Sequence, residues 1–84
     1  MYKIEFVKSA EKALLSLPDK TIAKIFEAIE KLGYNPFPPG YKKLRGYTNR
    51  YRIRAGDYRV LYIIENDKLV ILIIKVGHRK DVYE

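Results

Sequence analysis

Three strand-length runs lie between residues 50 and 76, divided by two short polar pairs. Residues 50–55 alternate arginine with apolar residues, and Gly56-Asp57 reads as a tight turn. Residues 58–65 form the second run, Asn66-Asp67 a second two-residue turn, and residues 68–76 the third run. Alternation with period two marks half-buried strands, and two-residue connections join antiparallel neighbours. The second half of the chain is therefore expected to be a three-stranded antiparallel meander.

The two turns also set which side chains share a face. With Ala55 opposite Tyr58, Arg54 lies opposite Arg59 and Ile53 opposite Val60. With Glu65 opposite Lys68, Leu61 lies opposite Leu72 and Arg59 opposite Ile74. One face then carries Tyr51, Ile53, Tyr58, Val60, Tyr62, Ile64, Leu69, Ile71 and Ile73. The other carries Arg50, Arg52, Arg54 and Arg59 at one end, and Leu61, Ile63, Val70, Leu72, Ile74 and Val76 toward the middle. Like charges placed directly opposite destabilise a sheet, so an Arg54–Arg59 pair does not serve stability, and the cluster is either a binding face or the solvated face of an ordinary sheet. The apolar residues beside it meet either the chain's own C-terminal segment or a partner.

The first half supplies the opposing layer. Tyr2, Ile4 and Phe6 alternate with charged residues as a first strand. Ser9 is a candidate N-cap, followed by Ala10, Ala13, Leu14 and Leu17 at helical spacing. Pro18 restarts the chain, since proline is tolerated at a helix start and not inside one. Ile22, Ile25, Phe26, Ile29 and Leu32 then make an apolar stripe, and Gly33 suits the position that ends it. Residues 34–41, rich in proline, form a loop pinned by Tyr34 and Phe37. The order β-α-α-β-β-β predicts one α+β domain over residues 1–84, with a helical hairpin on one face of an antiparallel sheet. The neighbour of the first strand is not readable from the pattern.

Composition narrows the chemistry. With no cysteine and one histidine, disulfides, thiol catalysis, iron–sulfur clusters and a multi-histidine metal site within one chain are excluded, and no metal or cofactor is expected. The longest apolar run is six residues, 69–74, against the roughly 20 a membrane span needs. The charged, alternating N-terminus does not read as a signal peptide, and the expected compartment is the cytoplasm. Net charge is +7, of which +6 falls in residues 42–84, and all six arginines lie between Arg45 and Arg79. Such a surface attracts polyanions, chiefly nucleic acid. Lys42, Lys43, Arg45 and Arg50 are the expected nucleic-acid contacts.

The tract Tyr-Arg-Ile-Arg-Ala-Gly-Asp-Tyr-Arg-Val-Leu-Tyr at 51–62, followed by Val-Gly-His-Arg-Lys-Asp-Val-Tyr at 76–83, closely resembles the RelE/ParE superfamily of toxin–antitoxin toxins. The early Leu17-Pro18 and the Lys-Leu-Arg-Gly at 43–46 fit the same pattern, which is most like the RelE branch. The resemblance spans essentially the whole chain and implies a microbial-RNase-like RelE fold. It further implies an endoribonuclease that cleaves messenger RNA in the ribosomal A site and is silenced by a RelB-like antitoxin, expected to be acidic and to bind through a helical segment. The positions it assigns to catalysis are Arg52, Arg54, Arg59, Arg79 and Tyr83. The well-known pattern has lysines where this chain has Arg52 and Arg54. Arginine holds phosphate but exchanges protons poorly, which draws attention to His78, whose residue type titrates near neutrality. His78 is either a proton carrier or a polar residue at a strand end. Tyr83 either serves RNA or folds back on the apolar face. Leu61, Ile63, Val70, Leu72, Ile74 and Val76 are the expected antitoxin seat. The alternatives are a ParE-like inhibitor of gyrase and a non-catalytic nucleic-acid-binding module.

Overall fold

The computed structural model describes residues 1–80 and 82. The elements are β1 (Lys3–Phe6), α1 (Lys8–Leu15), α2 (Asp19–Leu32), β2 (Lys42–Lys43), β3 (Arg50–Ala55), β4 (Tyr58–Glu65) and β5 (Val70–His78). The five strands form one sheet in the order β1-β5-β4-β3-β2. The α+β class and the three-stranded meander hold. Two features differ from expectation. A short edge strand, β2, precedes the meander, and β1 runs parallel to β5, so the sheet is mixed. β1 reaches the far side of β5 because two helices intervene, and a parallel neighbour requires such a crossover.

The helices cover one face. Ala10 and Leu14 of α1, with Ile25, Ile29 and Leu32 of α2, pack on Ile53, Ala55, Val60, Tyr62, Ile64, Ile71, Ile73 and Val76. Burying each large aliphatic side chain contributes about 1.5–3 kcal/mol, which makes this layer the main source of stability. Phe26, on the flank of the α2 stripe, remains exposed.

Several local expectations are corrected. Helix α1 begins at Lys8 with Val7 as its extended N-cap, so Ser9 lies inside the helix. The start is early because the Val7 amide donates to the Ile73 carbonyl at 3.0 Å, holding the end of β1 on the sheet right up to the helix. Gly33 ends α2 with φ −61°, not in a left-handed conformation. Close approach explains it instead. A Cβ there would sit 3.0 Å from the Tyr2 carbonyl oxygen, and the Tyr2 amide donates to the Gly33 carbonyl at 2.7 Å. Tyr34 is exposed and does not pin its loop. The pin is the Pro36 carbonyl, which accepts a hydrogen bond from the buried Tyr62 hydroxyl.

The β4–β5 connection matters most for function. Gly56-Asp57 is the expected two-residue turn, with Gly56 at φ 62°. Asn66-Asp67 is not one. Glu65 pairs with Val70, so the loop spans four residues and closes through Leu69 at φ 54°, leaving the Leu69 side chain exposed and outside the core. This shifts the register by two, which keeps residues 70–73 on their expected faces. Between Leu61/Tyr62 the register then slips by one, with Tyr62 opposite Ile73 and Leu61 opposite Lys75. Ile74 is the extra residue of a β-bulge, and a one-residue slip turns everything beyond it over. Val76 therefore joins the helix-side core opposite Val60, and not the arginine-bearing face.

Candidate functional site

The face away from the helices is assembled from the even positions of β3 and the odd positions of β4. Arg54 and Arg59 are direct cross-strand partners, and Arg52 lies beside them opposite Leu61. Arg52 is buried, Arg59 half-buried and Arg54 exposed, so the cluster is graded from the sheet interior to solvent. Arg50 also begins this row, and its guanidinium carbon lies 4.2 Å above the centre of the Tyr47 ring, a cation–π contact. Lys42 on β2 is the cross-strand partner of Arg52 and extends the positive surface to the sheet edge. Lys43, the next residue, pairs with Tyr51 and belongs to the opposite face, while Arg45 is exposed in the loop beyond.

On the other side of Arg59 the pattern changes. Its partner on β5 is Gly77, which has no side chain. The space above Gly77 is filled by Val82, buried to 1% exposure and packed with Leu44, Leu61 and Ile74. The fit is close: a Cβ on Gly77 would lie 2.6 Å from Val82 Cγ2. The Val82 carbonyl accepts a hydrogen bond from Arg59 Nη1 at 3.0 Å. Neither Gly77 nor Val82 was among the expected site residues. The available signal was the glycine itself, since a glycine inside a strand often marks close approach of another segment.

The apolar half of this face has two occupants. Leu61 is covered by the chain's own Leu44 and Val82, whereas Ile63, Leu72 and Ile74 are only half-buried. Val70 is buried at the start of β5. Because β1 runs beside β5, Lys3 pairs with Val70 and Glu5 with Leu72, which gives the apolar strip a charged rim.

His78 does not join the arginines. The bulge places it opposite Tyr58 on the helix side, where the two rings meet edge-on at 5.5 Å. Its Nδ1 accepts a hydrogen bond from the Lys80 amide at 3.3 Å. The same one-residue slip that moves Val76 puts His78 across the sheet from the arginines. Arg79 is exposed just past β5, and its amide donates to the Asp57 carbonyl at 2.8 Å, which holds it against the β3–β4 turn. Tyr83 lies outside the described residues. Among aromatic groups, the Tyr62 phenol is pushed well above its ordinary range, first by burial and then by Tyr51 and Tyr41. That keeps it a neutral donor to Pro36 and a structural group.

This geometry can be set beside known proteins. Residues 4–83 match the family model described as the ParE toxin of the type II toxin–antitoxin system parDE. The chain belongs to the RelE/ParE family of type II toxins. The putative toxin RelE1 of Methanocaldococcus jannaschii is 35% identical, with 99% of this chain and 96% of that one covered. Toxin RelG of Mycobacterium tuberculosis is 31% identical, with 98% and 95% covered. Among solved structures, the archaeal RelE–RelB complex from Pyrococcus horikoshii matches with a TM-score of 0.83 at 35% identity, covering 96% of this chain and 98% of that one. The isolated E. coli RelE toxin matches with the same TM-score of 0.83 at 25% identity, covering 93% and 84%. The fold of this RelE-family chain is thus that of both free and antitoxin-bound relatives. No helix among its described residues is long and apolar enough to cross a membrane.

Proposed function

We propose that this RelE-family chain is a ribosome-dependent endoribonuclease that cleaves messenger RNA in the A site and is neutralised by a RelB-like antitoxin. The observation that carries the reading is the direct pairing of Arg54 with Arg59 on one face, with Arg52 beside them. Three guanidinium groups held together by the sheet raise the local positive potential, and a phosphate passing to a phosphorane gains charge where they converge. Attack of a ribose 2′-hydroxyl on the adjacent phosphate forms the new P–O bond and expels the 5′ oxygen. The step needs charge stabilisation, removal of the 2′ proton and a proton for the leaving oxygen. The arginines serve the first need. Because arginine exchanges protons poorly and His78 lies on the other face, proton transfer falls in this reading to Tyr83. Arg79 contributes charge near the leaving group, and Lys42, Arg45 and Arg50 guide the RNA backbone. Lys43, across the sheet, adds to the same field from the edge.

Two of the structural relatives are toxin–antitoxin complexes by description, RelE–RelB from P. horikoshii and RelBE2 from M. tuberculosis. They support an antitoxin for this chain, and the half-buried strip of Ile63, Leu72 and Ile74 is its proposed seat. The test is induction of the chain in cells, with mapping of message 5′ ends on ribosomes. Cuts at A-site positions are expected. The matching family model carries the ParE description, so gyrase supercoiling is assayed in parallel. Inhibited gyrase with intact messages would overturn the reading in favour of a ParE-like poison.

A further inference from the structure

We propose that Val82 is the positioning residue of Arg59, and that Gly77 is present to admit it. The proposal rests on the reading of Arg59 as a phosphate-stabilising group. Three contacts converge. Gly77 is the cross-strand partner of Arg59 on β5. Val82 lies over Gly77, with 2.6 Å between Val82 Cγ2 and the place a Cβ would take. The Val82 carbonyl accepts from Arg59 Nη1 at 3.0 Å.

An arginine side chain has many rotamers, and aiming it costs conformational entropy. Here the cost is met before any RNA arrives. On one side Arg59 faces Arg54, whose like charge pushes the guanidinium away from β3. On the other side a carbonyl oxygen stands at hydrogen-bond distance and draws it toward β5. That carbonyl is itself held in place, because the Val82 side chain is buried and seated among Leu44, Leu61 and Ile74. Valine has one side-chain rotor and is stiff at it, so it makes a rigid peg. Any side chain at position 77 would fill the seat from below. The glycine is therefore required by Val82 rather than by backbone conformation, and Gly77 has no positive φ.

A fixed guanidinium stabilises charge without reorganising at the moment of reaction, which is where electrostatic catalysis gains most. Loosening the peg should lower the maximal rate of cleavage and leave ribosome binding alone, because the remaining basic surface is untouched.

The experiment uses the full chain carrying Gly77→Ala, Val82→Ala, or both. Single-turnover message cleavage on programmed ribosomes gives the maximal rate and the half-saturating concentration separately. Gly77→Ala should lower the maximal rate about tenfold to a hundredfold, as expected for a slightly misplaced group, with half-saturation unchanged. Val82→Ala removes the colliding methyl, so adding it to Gly77→Ala should restore part of that loss, a non-additivity that independent sites do not show. Side-chain resonances of nitrogen-labelled arginine report the contact without activity. The Arg59 Nη1 protons should be hindered in the unmodified chain and released by Gly77→Ala. Folded Gly77→Ala protein with unchanged rate, or strictly additive effects in the double variant, would overturn the proposal. Should the unmodified chain cleave no message, the proposed function fails. The resonances then decide on the peg alone, and an Arg59 signal indifferent to Gly77→Ala overturns it.

Discussion

The Tyr62 hydroxyl donates to the Pro36 carbonyl at 2.6 Å, joining the centre of β4 to a proline-rich loop 26 residues earlier in the chain. Tyr62 is fully buried, so the bond is shielded from water and the loop is held over the end of the core. Nearby, the Phe37 ring meets Tyr41 and Tyr51 edge-on at centroid distances of 5.2 and 5.4 Å, and Tyr41 and Tyr51 lie tilted to each other at 6.1 Å. Tyr62→Phe keeps the ring and strands the carbonyl, and should cost about 1 kcal/mol in denaturant unfolding. A pH effect accompanies it. The folded phenol holds its proton more tightly than the unfolded one, so its stabilising contribution is complete below about pH 10 and is lost as pH rises beyond. The unmodified chain should therefore lose stability more steeply above about pH 10 than the Tyr62→Phe variant. Parallel slopes would show that Tyr62 ionises as easily folded as unfolded.

Leu69 closes the β4–β5 loop with a left-handed backbone that a γ-branched side chain tolerates poorly. The side chain is more than half exposed and contributes little burial. Asparagine visits this region readily, so Leu69→Asn should stabilise the chain by about 0.5–1 kcal/mol. Thermal unfolding measures it, and a lowered midpoint would mean that Leu69 makes contacts outweighing its backbone strain.

Arg59→Ala should fold normally, since the side chain faces away from the helical layer. Cleavage of ribosome-bound message should fall by about 2–4 kcal/mol of transition-state stabilisation, or roughly 30-fold to 1,000-fold in rate. Full activity in a folded Arg59→Ala protein would remove the arginine pair from the mechanism.

His78→Gln should leave the pH dependence of cleavage unchanged. The ring lies on the helix side against Tyr58, across the sheet from Arg59. A profile that flattens near neutrality would instead place the imidazole in the proton path.

Leu72→Asp places a charge in the half-buried strip beside Glu5. It should weaken the antitoxin complex by at least about 2 kcal/mol, some thirtyfold in Kd, with the variant itself folded. Phe26→Asp on the outer flank of α2 is the comparison, because Phe26 is also exposed and apolar. Loss of binding in Phe26→Asp and not in Leu72→Asp would put the antitoxin on the helical hairpin.

The helices, β1, the three meander strands and the arginine pair were legible because their causes are local. Period-two alternation marks β3 and β4, helical spacing marks α2, and Gly56-Asp57 is a turn short enough to dictate register. From that turn alone Arg54 had to face Arg59, and it does. The parallel seat of β1 beside β5 was not legible, because it depends on where the helical hairpin delivers the chain and leaves no mark in either strand. Nor was the extra residue at Ile74, since the run 69–74 is apolar throughout and reads the same in either register. That single residue decides the site: it turns Val76 into the core and His78 toward Tyr58, and leaves Gly77 facing Arg59. Composition and periodicity determined which side chains would be basic, apolar and strand-borne. Only the packing of β5 against β4, and of Val82 onto Gly77, decided which of them meet, because a face assignment past a bulge is set by long-range contacts and not by spacing along the chain.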